Sequence, residues 1–140
     1  MQVVIHHNPD CGTSRNVLKI VKDAGYSPTV IAYIDIGCTR PQLLTLFAAA
    51  DLTPKSALRR TKSPAETLGL LEDHVSDETI FEAMLDNPVL VNRPIVCTAK
   101  GVKLCRPSEA VLDVLDQWPA GPYAKEDGEM IINAEGTRVV

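Results

Sequence analysis

The sequence has no long hydrophobic run, no cluster of basic residues and no glycine-rich phosphate motif. A membrane-spanning helix needs about 20 consecutive apolar residues, and no segment of the chain approaches that length. The 14 Lys and Arg residues are scattered and the formal net charge is −4. A large nucleic-acid surface is therefore disfavoured, although a single basic pocket is not. The patterns G-x-G-x-x-G and the P-loop are absent, so no bound nucleotide or flavin cofactor is expected.

The beginning of the chain also lacks a secretory signal pattern. Met1 leads directly into a strand-like apolar segment, with no basic region before it. We therefore expect a cytoplasmic protein without a membrane partner. In a reducing compartment, the four cysteines are expected to be free thiols. No spacing of His and Cys residues indicates a zinc site, so no metal is expected.

Length and composition predict one globular domain. The chain has 140 residues, of which 45% are hydrophobic and 23% charged, as is typical of a folded domain. We expect residues 1–117 to form the domain, with a helical insert at about residues 40–90. Residues 118–140, where Pro, Gly and charged residues dominate, are expected to form a loose tail of the same domain with a short helix around 125–132.

Strand and helix patterns alternate in the first part of the chain. Apolar residues at 3–5 predict a buried strand, and a helical apolar pattern follows, with Thr13 or Ser14 as its N-cap. A β-branched run at 29–34 predicts a second strand, and Thr39 begins a capping box before the next helix. Two strands joined through a helix predict a parallel pair with a right-handed crossover.

The second half of the chain predicts more helices and a hairpin. Prolines interrupt the helical pattern until Ser76, which begins a clearer helix. Residues 95–98 and 102–105 flank a Lys-Gly turn and predict an antiparallel hairpin, and residues 110–115 predict a final core helix. The sequence therefore predicts an α/β fold in which helices flank a four-stranded mixed sheet.

The segment between the first strand and the first helix carries the candidate chemistry. It places Cys11 near a helix start and at the carboxyl end of a strand, where open α/β sheets bind ligands. Free N–H groups at a helix start favour an anion, either a thiolate or a bound oxyanion, and lower the pKa of a thiol. Cys11 is thus a candidate nucleophile. Ser14 occupies the second cysteine position of a redox C-x-x-C motif, so another thiol must resolve any oxidised adduct.

Three neighbours of Cys11 leave alternatives open. His7 either helps to hold the thiolate or is only hydrogen-bonded to backbone at the strand end. Arg15 either binds an anion or pairs locally. Asp10 opposes a thiolate unless its carboxylate points to solvent. All three lie within four residues of Cys11 in the sequence.

Several motifs resemble those of the glutaredoxin-coupled arsenate reductases of the ArsC family, which are thioredoxin-like proteins of about this length. The resemblance covers nearly the whole chain and keeps the motifs in the right order. In chain order they are His7-Asn8-Pro9-x-Cys11-Gly12-Thr13-Ser14-Arg15-Asn16, Leu58-Arg59-Arg60, Glu66-x-Leu68-Gly69-Leu70, Asn87-Pro88-x-Leu90-x-Asn92-Arg93-Pro94-Ile95-Val96, Leu104-Cys105-Arg106-Pro107-Ser108-Glu109 and Lys125-Glu126-Asp127-Gly128-Glu129.

The resemblance implies a thioredoxin-like fold and an activity, the reduction of arsenate to arsenite for arsenic detoxification. Cys11 would be the nucleophile that forms a thiol–arsenate adduct, and His7, which could help to hold the thiolate, is the second candidate catalytic residue. Glutathione would be a co-substrate and glutaredoxin a partner protein. It also implies a cis peptide bond at Arg93-Pro94. Cys105 matches a family position but is expected to be a bystander. The implied substrate-binding residues are Arg59, Arg93 and Arg106, and the supporting loop residues are Gly12, Thr13 and Ser14.

Two other functions fit the same fold. One is a glutathione-dependent thiol reductase of another substrate, but such an enzyme needs no arginine pocket for a tetrahedral anion. The other is a regulatory binding protein of the Spx type, which contacts RNA polymerase. Proteins of that type typically carry a C-x-x-C switch in this loop, and Ser14 breaks that pattern here.

Overall fold

The computed structural model describes residues 1–140 and divides them into two compact units. The first unit comprises residues 1–31 and 93–140, and the second comprises residues 32–92. The second unit includes the region in which the sequence predicts a helical insert. No helix in the structure combines the length and the apolar character that crossing a membrane would require.

A four-stranded mixed sheet forms the framework of the first unit. Its strands are β1 (Val4–His6), β2 (Thr29–Ile31), β3 (Ile95–Thr98) and β4 (Gly101–Leu104). The strand order is β2-β1-β3-β4. β1 pairs in parallel with β2, and the other two pairs are antiparallel. The predicted α/β fold, the parallel pair and the hairpin are all confirmed.

Helix α1 (Gly12–Asp23) and a 3₁₀ helix at Ser108–Val114 pack against each other and share the apolar core with the sheet. The sequence predicts an α-helix at 110–115, and the structure forms a 3₁₀ helix instead. The N–H of Ala110 donates to the Pro107 oxygen at 3.0 Å, which is the three-residue spacing of that helix type. Nearly every side chain of the segment is buried, so packing fixes this short helix.

Helix α1 begins two or three residues earlier than predicted. The sequence predicts Thr13 or Ser14 as the N-cap, whereas Cys11 occupies that position with an extended backbone at φ −103° and ψ 122°. The Cys11 oxygen accepts the first helical hydrogen bond, from the Arg15 N–H at 2.9 Å. The helix therefore begins directly after the cysteine, and its unpaired N–H groups follow Cys11 in the chain.

The expectation of a loose tail with a short helix is wrong. Strands β5 (Tyr123–Ala124) and β6 (Met130–Ile132) form an antiparallel hairpin in this region. Ile131 and Ile132 are fully buried and belong to the same apolar cluster as α1 and the sheet. Burial of these two side chains stabilises the extended conformation. The Pro- and Gly-rich composition of the segment does not predict this burial.

One glycine of the segment is required by space. A Cβ at Gly121 would lie 1.8 Å from the backbone oxygen of Asn133, so any side chain there would displace the backbone that directly follows β6. At this position glycine is therefore a requirement of packing and not a sign of a loose loop.

The second unit is built from helices and turns. Its helices are α2 (Tyr33–Ile36), α3 (Arg40–Ala49), α4 (Asp77–Asp86) and a 3₁₀ helix at Pro88–Leu90. The predicted capping box is confirmed, with Thr39 and Gln42 bonded reciprocally, and Ser76 caps α4 as expected.

Two predictions for this region need correction. The strand predicted at 29–34 ends at Ile31, because Tyr33 is buried in the second unit and its hydroxyl donates to the Val91 oxygen at 2.9 Å. Most of the chain between α3 and α4, where a broken helix is predicted, forms turns. The prolines and glycine of that segment limit each helical turn to a few residues.

Candidate active site

Cys11 lies at the start of α1, directly after the loop that follows β1. Its residue exposure is 5%, and its N–H donates to the Asn8 oxygen at 3.1 Å. Because its carbonyl also accepts the first bond of the 12-residue helix, the backbone of Cys11 is fixed on both sides. The sulfur is therefore held at the positive end of a helix dipole.

The pKa of the Cys11 thiol is lowered from its ordinary value. Burial acts in the opposite direction, but three groups together outweigh it: the backbone N–H of Ser14, the charge of Arg93, and Arg106. Arg106 contributes both its charge and a hydrogen bond, with 3.6 Å between its Nη1 and Cys11 Sγ. The nucleophilic thiolate is thus more populated than in an ordinary cysteine.

The structure brings Arg93 and Arg106 together beside Cys11. Arg93 is only 9% exposed, whereas Arg106 is exposed. Arg106 Nη1 also donates to the Arg93 oxygen at 3.1 Å, so one guanidinium nitrogen connects the sulfur to the segment that carries the other arginine. The peptide bond before Pro94 is cis, as the resemblance implies, and so is the bond before Pro107.

His7 contacts Ser14 through a short hydrogen bond. Its Nδ1 lies 2.6 Å from Ser14 Oγ, and the same oxygen accepts the Asn8 N–H at 3.1 Å. The pKa of His7 is lowered, first by burial and then by the charges of Lys22 and Arg15, which favours a neutral ring at pH 7. Neutral His7 orders the loop through Ser14 and supplies no positive charge to the thiolate.

The supporting loop residues have different environments. Ser14 is fully buried, whereas Gly12 and Thr13 are partly exposed first residues of α1. A Cβ added at Gly12 would meet only a side-chain nitrogen of Arg15 at 3.5 Å, an ordinary contact. Space alone therefore does not require glycine at this position.

The structure places Asp10 at the surface and pairs Arg15 with local groups. The Asp10 side chain is exposed, which is the condition under which its carboxylate does not oppose a thiolate. Arg15 Nη1 donates to the Pro9 oxygen at 3.0 Å, and its Nε lies 3.4 Å from a carboxylate oxygen of Glu126. Arg15 is thus paired locally, across the edge of the loop.

Arg59 lies in the second unit and is 9% exposed. Its backbone N–H donates to the Leu90 oxygen at 2.8 Å, and its Nε donates to the Thr61 oxygen at 3.2 Å. Arg60, which spacing alone could not distinguish from it, is exposed. Of the two adjacent arginines, Arg59 is therefore the one whose guanidinium is built into the fold.

The pKa values of the other three cysteine thiols are shifted in the opposite direction to that of Cys11. Burial raises the pKa values of Cys38 and Cys97. Burial, with a further contribution from Asp113, raises the pKa of Cys105 to about 12 in spite of the Lys103 charge. Cys105 is fully buried, and its thiol donates to the Lys103 oxygen at 3.5 Å. This environment agrees with its expected role as a bystander.

Asn8 has a larger part in the site than the sequence suggested. It is 3% exposed, its Oδ1 accepts the Asp10 N–H at 2.9 Å, and its backbone contacts both Cys11 and Ser14. An Asn directly before Pro is a signal for a side-chain-stabilised turn, and that signal was the one available in the sequence.

Comparison with known proteins adds to this geometry. The model of the ArsC family matches residues 6–114. The arsenate reductase ArsI2 of Synechocystis sp. is 68% identical over 137 residues, which are 98% of each chain. An arsenate reductase of Rhizobium meliloti is 47% identical over the full length of both proteins.

Solved structures show the same fold. An arsenate reductase from Vibrio cholerae is 34% identical, with a TM-score of 0.76 over 82% of this chain and 98% of its own. A putative arsenate reductase from Yersinia pestis gives a TM-score of 0.73 at 32% identity, over 80% of this chain and 99% of its own. With its thiol-bearing helix start, its mixed sheet and the order of its motifs, this chain belongs to the ArsC family, the thioredoxin-like arsenate reductases.

Proposed function

We propose that this protein is a cytoplasmic enzyme that reduces arsenate to arsenite through an adduct on Cys11, with glutathione and a glutaredoxin as the reductants. The observation that carries the proposal is the position of the Cys11 sulfur, at a helix start and 3.6 Å from the Arg106 guanidinium. The relatives whose names describe them as arsenate reductases support the choice of substrate.

The first step brings two negative groups together. Arsenate carries negative charge at neutral pH, and the nucleophile is a thiolate. Arg93 and Arg106 both lower the pKa of Cys11, so both act at the sulfur and are placed to offset the repulsion of an incoming oxyanion. Attack of the sulfur on arsenic forms an S–As(V) bond and releases hydroxide or water.

Reduction then requires a second thiol. In the proposed step, glutathione attacks the Cys11 sulfur, an S–S bond forms and the S–As bond breaks. The bonding electron pair leaves with arsenic, which is reduced from As(V) to As(III) while two thiols are oxidised to a disulfide. A glutaredoxin thiol then removes the glutathione and restores Cys11.

Arg59 is the proposed third arginine of the oxyanion site. The resemblance of Leu58-Arg59-Arg60 to a family motif supports this role, and the low exposure of its side chain sets it apart from Arg60. A planar guanidinium presents paired donors that suit a tetrahedral oxyanion better than a lysine does.

The test is arsenate reduction by the purified protein with glutathione and glutaredoxin. Cys11→Ser should abolish turnover and leave the melting temperature close to that of the wild type. Cys38→Ser is the matched control, since the same atom is exchanged at a thiol whose pKa is raised by burial. Full turnover by Cys11→Ser would remove Cys11 from the reaction. Turnover that needs thioredoxin instead of glutaredoxin would refute the proposed reductant and leave the adduct chemistry intact.

A further inference from the structure

Two motifs of the chain meet in the structure although their contacting residues are 16 positions apart in the sequence. One is the segment from Leu104 to Glu109, which contains Arg106. The other is the segment from Lys125 to Glu129, in the turn of the C-terminal hairpin. Their contact is an ion pair between Lys125 and Glu109.

Both side chains of this ion pair are largely withdrawn from solvent. The Lys125 and Glu109 side chains are 12% and 7% exposed. Lys125 Nζ lies 3.0 Å from one Glu109 carboxylate oxygen and 3.4 Å from the other. The same ammonium group also contacts the half-exposed carboxylate of Glu129. A carboxylate buried to this extent is costly to leave without its partner, so Lys125 determines where Glu109 can lie.

Glu109 lies three residues after Arg106. It is in the first turn of the 3₁₀ helix Ser108–Val114, whose first hydrogen bond joins the Ala110 N–H to the Pro107 oxygen. On the other side of Arg106, the Cys105 N–H donates to the Pro94 oxygen at 2.9 Å. The backbone of Arg106 is thus fixed before it by the Cys105–Pro94 hydrogen bond and after it by the turn that contains Glu109.

The hairpin that provides Lys125 is also attached to α1. The N–H of Glu126 donates to Asn16 Oδ1 at 3.0 Å, and the Glu126 carboxylate pairs with Arg15 at 3.4 Å. The turn therefore contacts both elements on which the Cys11–Arg106 contact depends, namely the helix that begins after Cys11 and the segment that carries Arg106.

We propose that Lys125 is a positioning residue for the reaction at Cys11: by its ion pair with Glu109, it holds the Arg106 guanidinium against the Cys11 sulfur. The inference deepens the proposed function, because Arg106 would also meet the oxyanion there. Its test measures the thiol itself and needs no arsenate, so it can fail or succeed independently of the proposed activity.

Glu109→Gln is the informative variant because two explanations predict opposite signs. If the Glu109 charge acted on the sulfur directly, its removal would lower the thiol pKa. If Glu109 acts by positioning Arg106, breaking the ion pair raises the thiol pKa. We expect a rise of about half a unit, which slows alkylation roughly threefold at a pH below the pKa. The measurement is the pH dependence of iodoacetamide alkylation of Cys11, followed by mass spectrometry of its peptide.

A double variant controls for misfolding caused by an unpaired buried charge. Lys125→Met combined with Glu109→Gln leaves no unpaired buried charge and no change in net charge, and it should raise the thiol pKa to a similar extent. In an Arg106→Ala background, the same double change should have almost no further effect. A full-sized shift in that background, or an unchanged or lowered pKa in the variants with Arg106, would overturn the proposal.

Lys103→Met is the matched control. Lys103 also pairs with a carboxylate of the same 3₁₀ helix, Asp113, at 2.6 Å, but both side chains are about 40% exposed. This variant should leave the alkylation profile of Cys11 unchanged. Circular dichroism melting of all variants confirms that the compared proteins are folded. In the arsenate assay, the double variant should raise KM several-fold, in parallel with the effect of Arg106→Ala.

Discussion

Replacement of Arg106 by alanine should make the Cys11 thiol a weaker acid. The change removes a guanidinium whose Nη1 lies 3.6 Å from the sulfur and donates to it. It leaves the Ser14 N–H and the Arg93 charge, the two other groups that lower the pKa of Cys11. The thiol pKa should therefore rise, because only these two groups then oppose burial, which raises it.

The size of the shift follows from the distance and the exposure of the arginine. Two unit charges 3.6 Å apart interact with about 1 kcal/mol in bulk water and about 4–5 kcal/mol at an effective dielectric constant of about 20. Arg106 is exposed, so solvent screening brings the interaction near the lower limit, about 1–2 kcal/mol. Since about 1.4 kcal/mol corresponds to one pKa unit, we expect a rise of about one unit.

The assay is the rate of alkylation of Cys11 by iodoacetamide between about pH 5 and pH 10. Below both pKa values, the Arg106→Ala protein should react about tenfold more slowly, because its thiolate fraction is about tenfold smaller. Above both pKa values the two rates should converge, since both thiols are then fully ionised. Resolution of individual peptides separates Cys11 from Cys38 and Cys97, whose pKa values burial raises.

A matched charge change provides the control. Arg138 belongs to the same unit but is bound to Asp113, so Arg138→Ala removes one positive charge without removing a contact to the sulfur. Its profile should match that of the wild type. An Arg106→Ala profile that superimposes on the wild-type profile at every pH would refute the electrostatic argument for Arg106 and leave the Ser14 N–H and the Arg93 charge as the causes of the lowered pKa.

Two further changes test the fold around the site. Ser14→Ala should lower the free energy of unfolding by about 1–3 kcal/mol, because the buried hydroxyl is hydrogen-bonded to both His7 and the Asn8 N–H. The measurement is urea denaturation, and a value within error of the wild type would show that neither bond contributes to stability. Ile131→Ala should lower the free energy of unfolding by about 2–5 kcal/mol, since the side chain is fully buried. Met130→Ala, on the exposed face of the same strand, should lower it only slightly. Equal effects of the two substitutions would contradict the packing of the hairpin against the core.

The elements that are visible in the sequence are those fixed by local patterns. The Lys-Gly turn and the capping box at Thr39 each depend on residues a few positions apart, and the structure has them as predicted; the β-branched run at 29–34 gives a strand that is shorter than predicted. Cys11 could be predicted as the candidate nucleophile for the same reason. Its position near a helix start and the serine at position 14, in place of a second cysteine, are both features of one short segment.

The parts that the sequence did not reveal depend on distant contacts. The C-terminal hairpin is extended because Ile131 and Ile132 are buried in a core formed by residues far earlier in the chain. Its local composition favours a loop, and no local signal opposes that interpretation. The Lys125–Glu109 ion pair is equally non-local, so the motifs identified its two members without indicating that they meet.

The serine at position 14 has a structural role that bears on the choice of reductant. Its hydroxyl is buried and bonded to His7 and Asn8, while its backbone N–H favours the Cys11 thiolate. A cysteine there would lose those hydrogen bonds, because a thiol is a weak donor and acceptor.

The remaining thiols of the first unit are poor candidates for the second sulfur. Burial raises the pKa of Cys97, and it raises the pKa of Cys105 to about 12 with a further contribution from Asp113. Neither forms a thiolate readily near neutral pH, and the thiolate is the form that attacks. A thiol supplied from solution therefore fits this loop better than an internal one, and glutathione is a thiol of that kind.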